Sequence, residues 1–172
     1  MSDAAKPVYF ANPTLDPVPI RIEGRASFQN SACLQDFIKA LLAQGKPRFI
    51  LDFAGCTSMD STFLGVLAGV ALQLRKLSPP GQLTLVRMSA RNLELVRNLG
   101  LHRLLTVDTS QAPASDLGGQ GTSIPCEQRS ELESAKLVLN AHENLVSVDE
   151  ANRSKFQDVL SFLRKRVDEG GV

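Results

Sequence analysis

The chain of 172 residues has no tryptophan, one tyrosine and two histidines. Cysteine is scarce: Cys33, Cys56 and Cys126 are far apart and odd in number. That spacing fits neither a disulfide framework nor a zinc pattern, and a reducing compartment is expected. Long apolar runs are also missing. The longest stretch without a charge, Ser61 to Leu74, is 14 residues, too short to cross a bilayer, so no membrane insertion is expected. The opening MSDAAKPVYF lacks the charged-then-apolar layout of a secretion signal, which points to a soluble, cytoplasmic protein. Charge of one sign is missing too, with 19 basic against 18 acidic residues. A mild asymmetry lies beneath this balance: residues 1–110 carry 12 basic and 8 acidic side chains, and 111–172 carry 7 and 10. Neither part has the dense basic stripe of a nucleic-acid binder, so no nucleic-acid partner is expected. No Gly-x-x-x-x-Gly-Lys phosphate loop occurs, and nucleotide binding ranks low.

The chain does have enough apolar residues, 43%, to exclude disorder throughout, and a length that suits one domain with a short appendage. Val8-Tyr9-Phe10-Ala11 reads as a short edge strand, and Ile20-Arg21-Ile22-Glu23 alternates like a half-buried one. Leu34, Phe37, Ile38, Leu41 and Leu42 recur at helical spacing, with Asn30 or Ser31 as N-cap and Gly45 as the stop. The nearly continuous apolar run Arg48 to Phe53 predicts an interior strand covered on both faces. A loop from Ala54 to Met59 then leads to Asp60-Ser61-Thr62 and a helix rich in small residues. Its Gly65-x-x-x-Gly69 step indicates close helix packing in a soluble chain. Leu83 to Val86 is a further strand, Ala90 to Leu99 a helix closed by Gly100, and Leu104 to Val107 a last strand. Strands alternating with helices predict an α/β fold with a mixed or mostly parallel sheet.

Residues 109–125 turn to Gly, Ser, Thr and Pro, the composition of a linker. Two helical patterns follow. Ser130-Glu131-Leu132-Glu133 has capping-box spacing, and Ser147-Val148-Asp149-Glu150 repeats it ahead of Phe156, Val159, Leu160, Leu163 and Val167. A C-terminal helical hairpin with one apolar face is expected.

The stretch FILDFAGCTSMDSTFLGVLAGVALQLR, Phe49 to Arg75, resembles the STAS domain: an apolar strand ending in Asp52, a loop, then Met-Asp-Ser-Thr opening an apolar helix with Leu64-Gly65. Supporting pattern continues through the strand at 81–88, Leu93, Leu95, Val96 and Leu99-Gly100-Leu101. The resemblance implies a mixed sheet of four to five strands with helices mainly on one side. It covers a STAS-like domain at 7–110, and the composition and helical patterns beyond it set a linker at 111–126 and a helical hairpin at 127–169. That family includes bacterial anti-sigma factor antagonists, in which the second hydroxyl residue after the Asp is phosphorylated by a kinase that is also the anti-sigma factor. By position that residue is Thr62, with Ser61 as second choice. The resemblance implies a partner surface made of Asp60, Ser61, Thr62 and Phe63, and an anti-sigma factor with Ser/Thr kinase activity, or a related signalling protein, as partner. Phe63 departs from the glycine usual there, placing a bulky aromatic at the expected rim of the docking surface.

The residues also have plainer readings. Asp60-Ser61-Thr62 is a favourable N-cap cluster in any protein. His102 and His142 are each solitary, without a metal-ligand neighbour in sequence, and are expected to be structural or surface residues. Cys56 has no histidine beside it and is not read as a nucleophile. Asp52 and Asp60 are read as hydrogen-bonded carboxylates, not as an acid–base pair. No catalytic constellation, metal or cofactor is expected, so the chain is read as non-enzymatic. Three destinations are open for the apolar stripe of the tail: the STAS-like domain, a homodimer through the C-terminal helices, or a partner helix. Beside the antagonist stands an alternative, a structural STAS subunit of a signalling scaffold or lipid-transport complex that is not phosphorylated.

Overall fold

A computed structural model describes residues 6–110 and 121–170. Six strands form one sheet in the order β5-β4-β3-β2-β1-β6. In chain order they are β1 (Tyr9–Ala11), β2 (Val18–Ala26), β3 (Arg48–Met59), β4 (Gln82–Val86), β5 (Thr106–Asp108) and β6 (Thr122–Ser123). Strands β2 to β5 run parallel, joined in turn by α1 (Ser31–Ala43), α2 (Ser61–Arg75) and α3 (Ala90–Asn98), while β1 pairs antiparallel with both β2 and β6. Each crossover moves one strand along in the same direction, and right-handed connections of that kind put their helices on one face. Two more helices, α4 (Glu131–Val148) and α5 (Asn152–Gly170), form the expected hairpin.

The α/β class read from the sequence holds, and β6 brings the sheet to six strands. Phe49, Leu51 and Phe53 of β3 and Ile20 and Ile22 of β2 are fully buried with Leu34, Ile38, Leu64 and Leu67 of the helices. Area removed from water at such positions contributes about 1.5–3 kcal/mol per large side chain. Gly100 closes α3 with φ of +79°, a left-handed backbone that glycine adopts without a Cβ clash.

The structure corrects several boundaries. The expected loop Ala54 to Met59 is the second half of β3, paired with β2 from Glu23 to Ala26 across two register shifts. Bulged pairing of this kind breaks strict alternation, so the apolar period is lost although the strand continues. Of the expected strand Leu104 to Val107, Thr106 and Val107 begin β5, while Leu104 and Leu105 form the turn that follows a 3-10 helix at Leu101–Arg103. Of the expected linker, residues 111–120 lie outside the described residues. Thr122 and Ser123 are not linker but β6, and Ile124 behind them is buried, its N–H bonded to the Tyr9 carbonyl at 2.9 Å. The second capping signature also fails. The Ser147 hydroxyl donates to the Glu143 carbonyl within α4, and the turn forms at Asp149, whose side chain accepts from Ala151 N–H.

Cysteine pairing needs a further correction. Cys33 and Cys126, 93 residues apart, form a disulfide, and Cys56 is free and buried. Sequence spacing did not show this because β6, lying against β1, returns the chain to the start of α1. Arg129 pairs with Asp36 of α1 beside it. The bond removes the basis on which a reducing compartment was expected.

Denatured without reductant, the protein should titrate one thiol, and three after reduction. Three thiols before reduction would show the bond absent. Cys33→Ser should lower unfolding stability by about 2–5 kcal/mol, read from denaturant curves without reductant.

Candidate functional site

The junction from β3 to α2 is built around one carboxylate. Asp60 is extended at the N-cap, and its Oδ1 accepts from Phe63 N–H at 2.9 Å, satisfying one of the helix's unpaired donors. Its Oδ2 accepts from Phe28 N–H at 2.8 Å, and its own N–H donates to the Ala26 carbonyl at 3.2 Å. One side chain therefore fixes the start of α2 to the segment that leaves β2.

Ser61 and Thr62 form the first turn of α2. Ser61 is half-buried and Thr62 is only 4% exposed. Phe63 does not stand at the rim of a surface: it is fully buried, stacked with Tyr9 at a centroid separation of 6.5 Å and edge-on to Phe53 at 6.2 Å. At this position of a helix lying on the sheet, a large apolar ring reaches the core. The expected surface of Asp60, Ser61, Thr62 and Phe63 thus divides into a half-exposed pair, Asp60 and Ser61, and a buried pair.

Much of this face is covered by the chain's own tail. The Ser61 hydroxyl lies 2.8 Å from His142 Nε2 on α4. His142 Nδ1 lies 2.7 Å from the Val138 carbonyl and donates to it, which leaves Nε2 to accept from Ser61 in the neutral ring. Its ring meets Phe156 of α5 edge-on at 4.9 Å. Further along α2, a Cβ on Gly65 would overlap the Ala141 carbonyl oxygen and lie 2.7 Å from the Ala141 Cβ. A Cβ on Gly69 would lie 2.5 Å from Asn144 Nδ2. The Gly65-x-x-x-Gly69 step does mark close helix packing, and α4 is the helix it packs.

His142 is the residue that sequence reasoning undervalued. No ligand partner flanks it in sequence, yet it extends the helical series Leu132, Ala135, Leu139 by three, which puts it on the buried face. His102 is exposed, as expected. Asp52 is buried within β3, where it pairs with Arg87 and accepts from Ala54 N–H at 3.0 Å. Among the described residues no group of His, Cys, Asp and Glu could hold a metal ion. A cleft of about 870 Å³ opens elsewhere, among Phe28, Ile124, Arg129, Val138 and Phe162, and Asp60 to Phe63 are not in its lining. Burial pushes the Cys56 thiol up, and burial together with the negative Cys56 and Asp60 nearby raises the Tyr9 hydroxyl far above its usual range.

A family model described as "Mlab, STAS domain" matches residues 12–107, more than half of the chain. Among solved structures, the anti-sigma factor antagonist SpoIIAA in its unphosphorylated form is similar at 21% identity and a TM-score of 0.45, over 54% of this chain and 79% of that one. The Bacillus cell fate determinant SpoIIAA in the phosphorylated form is similar at 22% identity and a TM-score of 0.44, over 55% and 84%. A search of curated proteins gives no match.

Asp60→Ala removes two charge-assisted hydrogen bonds and should destabilise the fold by about 2 kcal/mol or more, with Asp60→Asn recovering part of the loss in denaturant unfolding. Tyr9, the single tyrosine, keeps its proton in the folded chain at a pH where the unfolded chain loses it. Stability is therefore full below the ordinary tyrosine range and falls as pH rises through it. In a spectrophotometric titration, tyrosinate absorbance should appear together with loss of helical circular dichroism, not before it.

Proposed function

Because the chain belongs to the STAS family, we propose that it is a non-enzymatic regulatory protein that works by reversible protein–protein binding. Its partner in this reading is an anti-sigma factor with Ser/Thr kinase activity, or a related signalling protein, held by the surface around the Asp60-Ser61-Thr62 helix start. Phosphorylation at Thr62, with Ser61 as second choice, releases that partner. The supporting observation is that the three residues are the N-cap and first turn of α2, anchored by Asp60 to Phe28 and Phe63.

The physics of the switch is mostly intermolecular. A phosphate on Thr62 or Ser61 adds about −1.5 to −2 charge at the helix start. The positive end of α2 favours it and Asp60 opposes it. A partner packed there must desolvate a strongly hydrated group, so it leaves while the domain stays folded. Cytoplasmic location belongs to the same reading. Among the described residues no helix is long and apolar enough to cross a membrane. A Cys33–Cys126 bond in that compartment belongs to the class of disulfides made and broken by redox state.

A second reading, the structural STAS subunit of a scaffold or lipid-transport complex, is favoured by one observation: the Thr62 side chain is almost fully covered. Affinity capture from native lysate separates the two, with wild type, Thr62→Glu and Ser61→Glu as baits, each checked for folding by circular dichroism because Thr62 is buried. A kinase-like protein caught by wild type and lost by the folded Glu variants is expected. Equal capture by all three sinks the phosphoswitch, and a stoichiometric, phosphatase-insensitive complex establishes the structural subunit.

A further inference from the structure

We infer that the Gly65–Gly69 strip of α2 is a helix-docking surface that the chain's own α4 occupies, and that a partner engages it with a helix of its own once α4 has lifted away. This deepens the reading of α2 as the partner face and rests on it. The appended hairpin is then a lid over the site it regulates.

The strip is shaped for a helix. At Gly65 the α2 backbone and the Ala141 backbone meet with no side chain between them, and at Gly69 the space of a Cβ is taken by the Asn144 amide. Small residues at both positions allow axes to approach closely, a device that depends on size and not on sequence identity. The polar contacts are equally generic. Ser61 offers its hydroxyl to His142, and Asn144 Nδ2 donates to the Gly65 carbonyl at 3.4 Å. A competing helix therefore needs a small residue where it crosses Gly65, a hydrogen-bonding side chain next to it facing Ser61, and an apolar residue four positions beyond the small one, as in the Ala141, His142, Leu145 series of α4.

The cover is a layer appended to the sheet-and-helix domain, held at a few identifiable points. The buried apolar residues of the hairpin are Ala135, Ala141, Leu145, Val146, Leu160 and Leu163, and of these Leu145 alone merges with the main core cluster. Val148 and Phe156, partly buried, also pack against that cluster. Two polar links tie the turn to α3: the fully buried Asn152 Nδ2 donates to the Leu99 carbonyl at 3.0 Å, and Lys155 Nζ, at the surface, donates to the Asn98 carbonyl at 2.7 Å. At the other end, Cys126 holds the chain five residues before α4 begins. Its bond to Cys33 keeps the lid near its seat, and five residues span at most about 17 Å. Lifting α4 by one helix diameter of about 10 Å is within that reach.

In the closed form the Ser61 hydroxyl is engaged by His142 of α4, so opening must precede docking on the strip and modification of Ser61. The apparent affinity of a partner is its intrinsic affinity reduced by the fraction of open chains.

The test needs no partner. The probe is a fluorescein-labelled peptide of residues 130–149, offered to full-length proteins and followed by fluorescence anisotropy. Ala141→Arg cannot seat α4 against Gly65 and should capture the peptide about tenfold or more tightly than wild type does. Adding Gly65→Leu should abolish that capture. Gly69→Cys with Asn144→Cys, oxidised to lock the lid, should capture none. If folded Ala141→Arg binds the peptide no better than wild type, the docking surface is overturned.

If Ala141→Arg does not fold, a protease site inserted after Gln128 and cut after folding keeps every contact. Exchange of the cut hairpin for a labelled copy of residues 129–172 supports the lid, and a hairpin that stays in place through overnight competition overturns it. A lysate that yields no kinase-like protein overturns the partner reading and leaves the docking surface standing, whereas absent peptide capture and absent exchange remove the docking surface alone.

Discussion

The carboxylate of Asp60 is the constraint on which the rest of the arrangement depends. It receives one free N–H of α2, that of Phe63, and the N–H of Phe28, and its own amide is bonded to the Ala26 carbonyl. The end of β2, the end of β3 and the start of α2 thereby share one point. With that point fixed, Phe63 enters the core against Tyr9 and Phe53, and the glycines one and two turns further on face the opposite way. Helical spacing does the sorting: an aromatic and a glycine two positions apart project about 200° apart. The same geometry that seals the core therefore presents a flat strip to the tail.

That strip carries a cost that its packing must offset. Glycine in a helix interior is about 1 kcal/mol less favourable than alanine, and α2 contains two. In an isolated helix such residues would be a defect. Here each marks a contact that any side chain would block, and α4 supplies the buried area in return. Hydrophobicity distributes accordingly. The contact face of α4 has small or polar residues where it touches the glycines, and its larger apolar residue, Leu145, reaches the shared core. In α5, Leu160 and Leu163 are buried while Phe162 is 64% exposed, so the second helix of the hairpin backs the first and leaves an aromatic in solvent.

What the sequence made legible follows from how local each signal is. Asp60 as N-cap, Ser130 as N-cap and Gly100 after α3 were readable because capping involves residues within four positions of one another. The glycine step announced close packing without naming its partner. Two features were hidden because they depend on residues distant in sequence. Cys33 meets Cys126 only through the pairing of β6 with β1, which no spacing rule encodes. His142 finds Ser61 across 81 residues. Phe63 was assigned to a rim because a family pattern places a small residue there, whereas the helix phase set by Asp60 turns that side chain inward. The extension of β3 was missed for a different reason: bulges against β2 displace the two-residue period that reveals a strand. Even local signatures compete, as Ser147 shows. Its hydroxyl is consumed by the Glu143 carbonyl inside α4, and Asp149 makes the turn instead.

A covered site also changes what affinity means for this chain. If closure were worth about 2.7 kcal/mol, a partner would bind roughly a hundredfold more weakly than its contacts alone permit. Ser61 and Thr62 occupy a special place in such a balance. A charge introduced at the first turn of α2 acts on two competitors for the same strip, the tail and the partner. Each must desolvate it to seat a helix. α4 meets it with His142, whose Nε2 lies 2.8 Å from the Ser61 hydroxyl, so any group added there must displace that contact first.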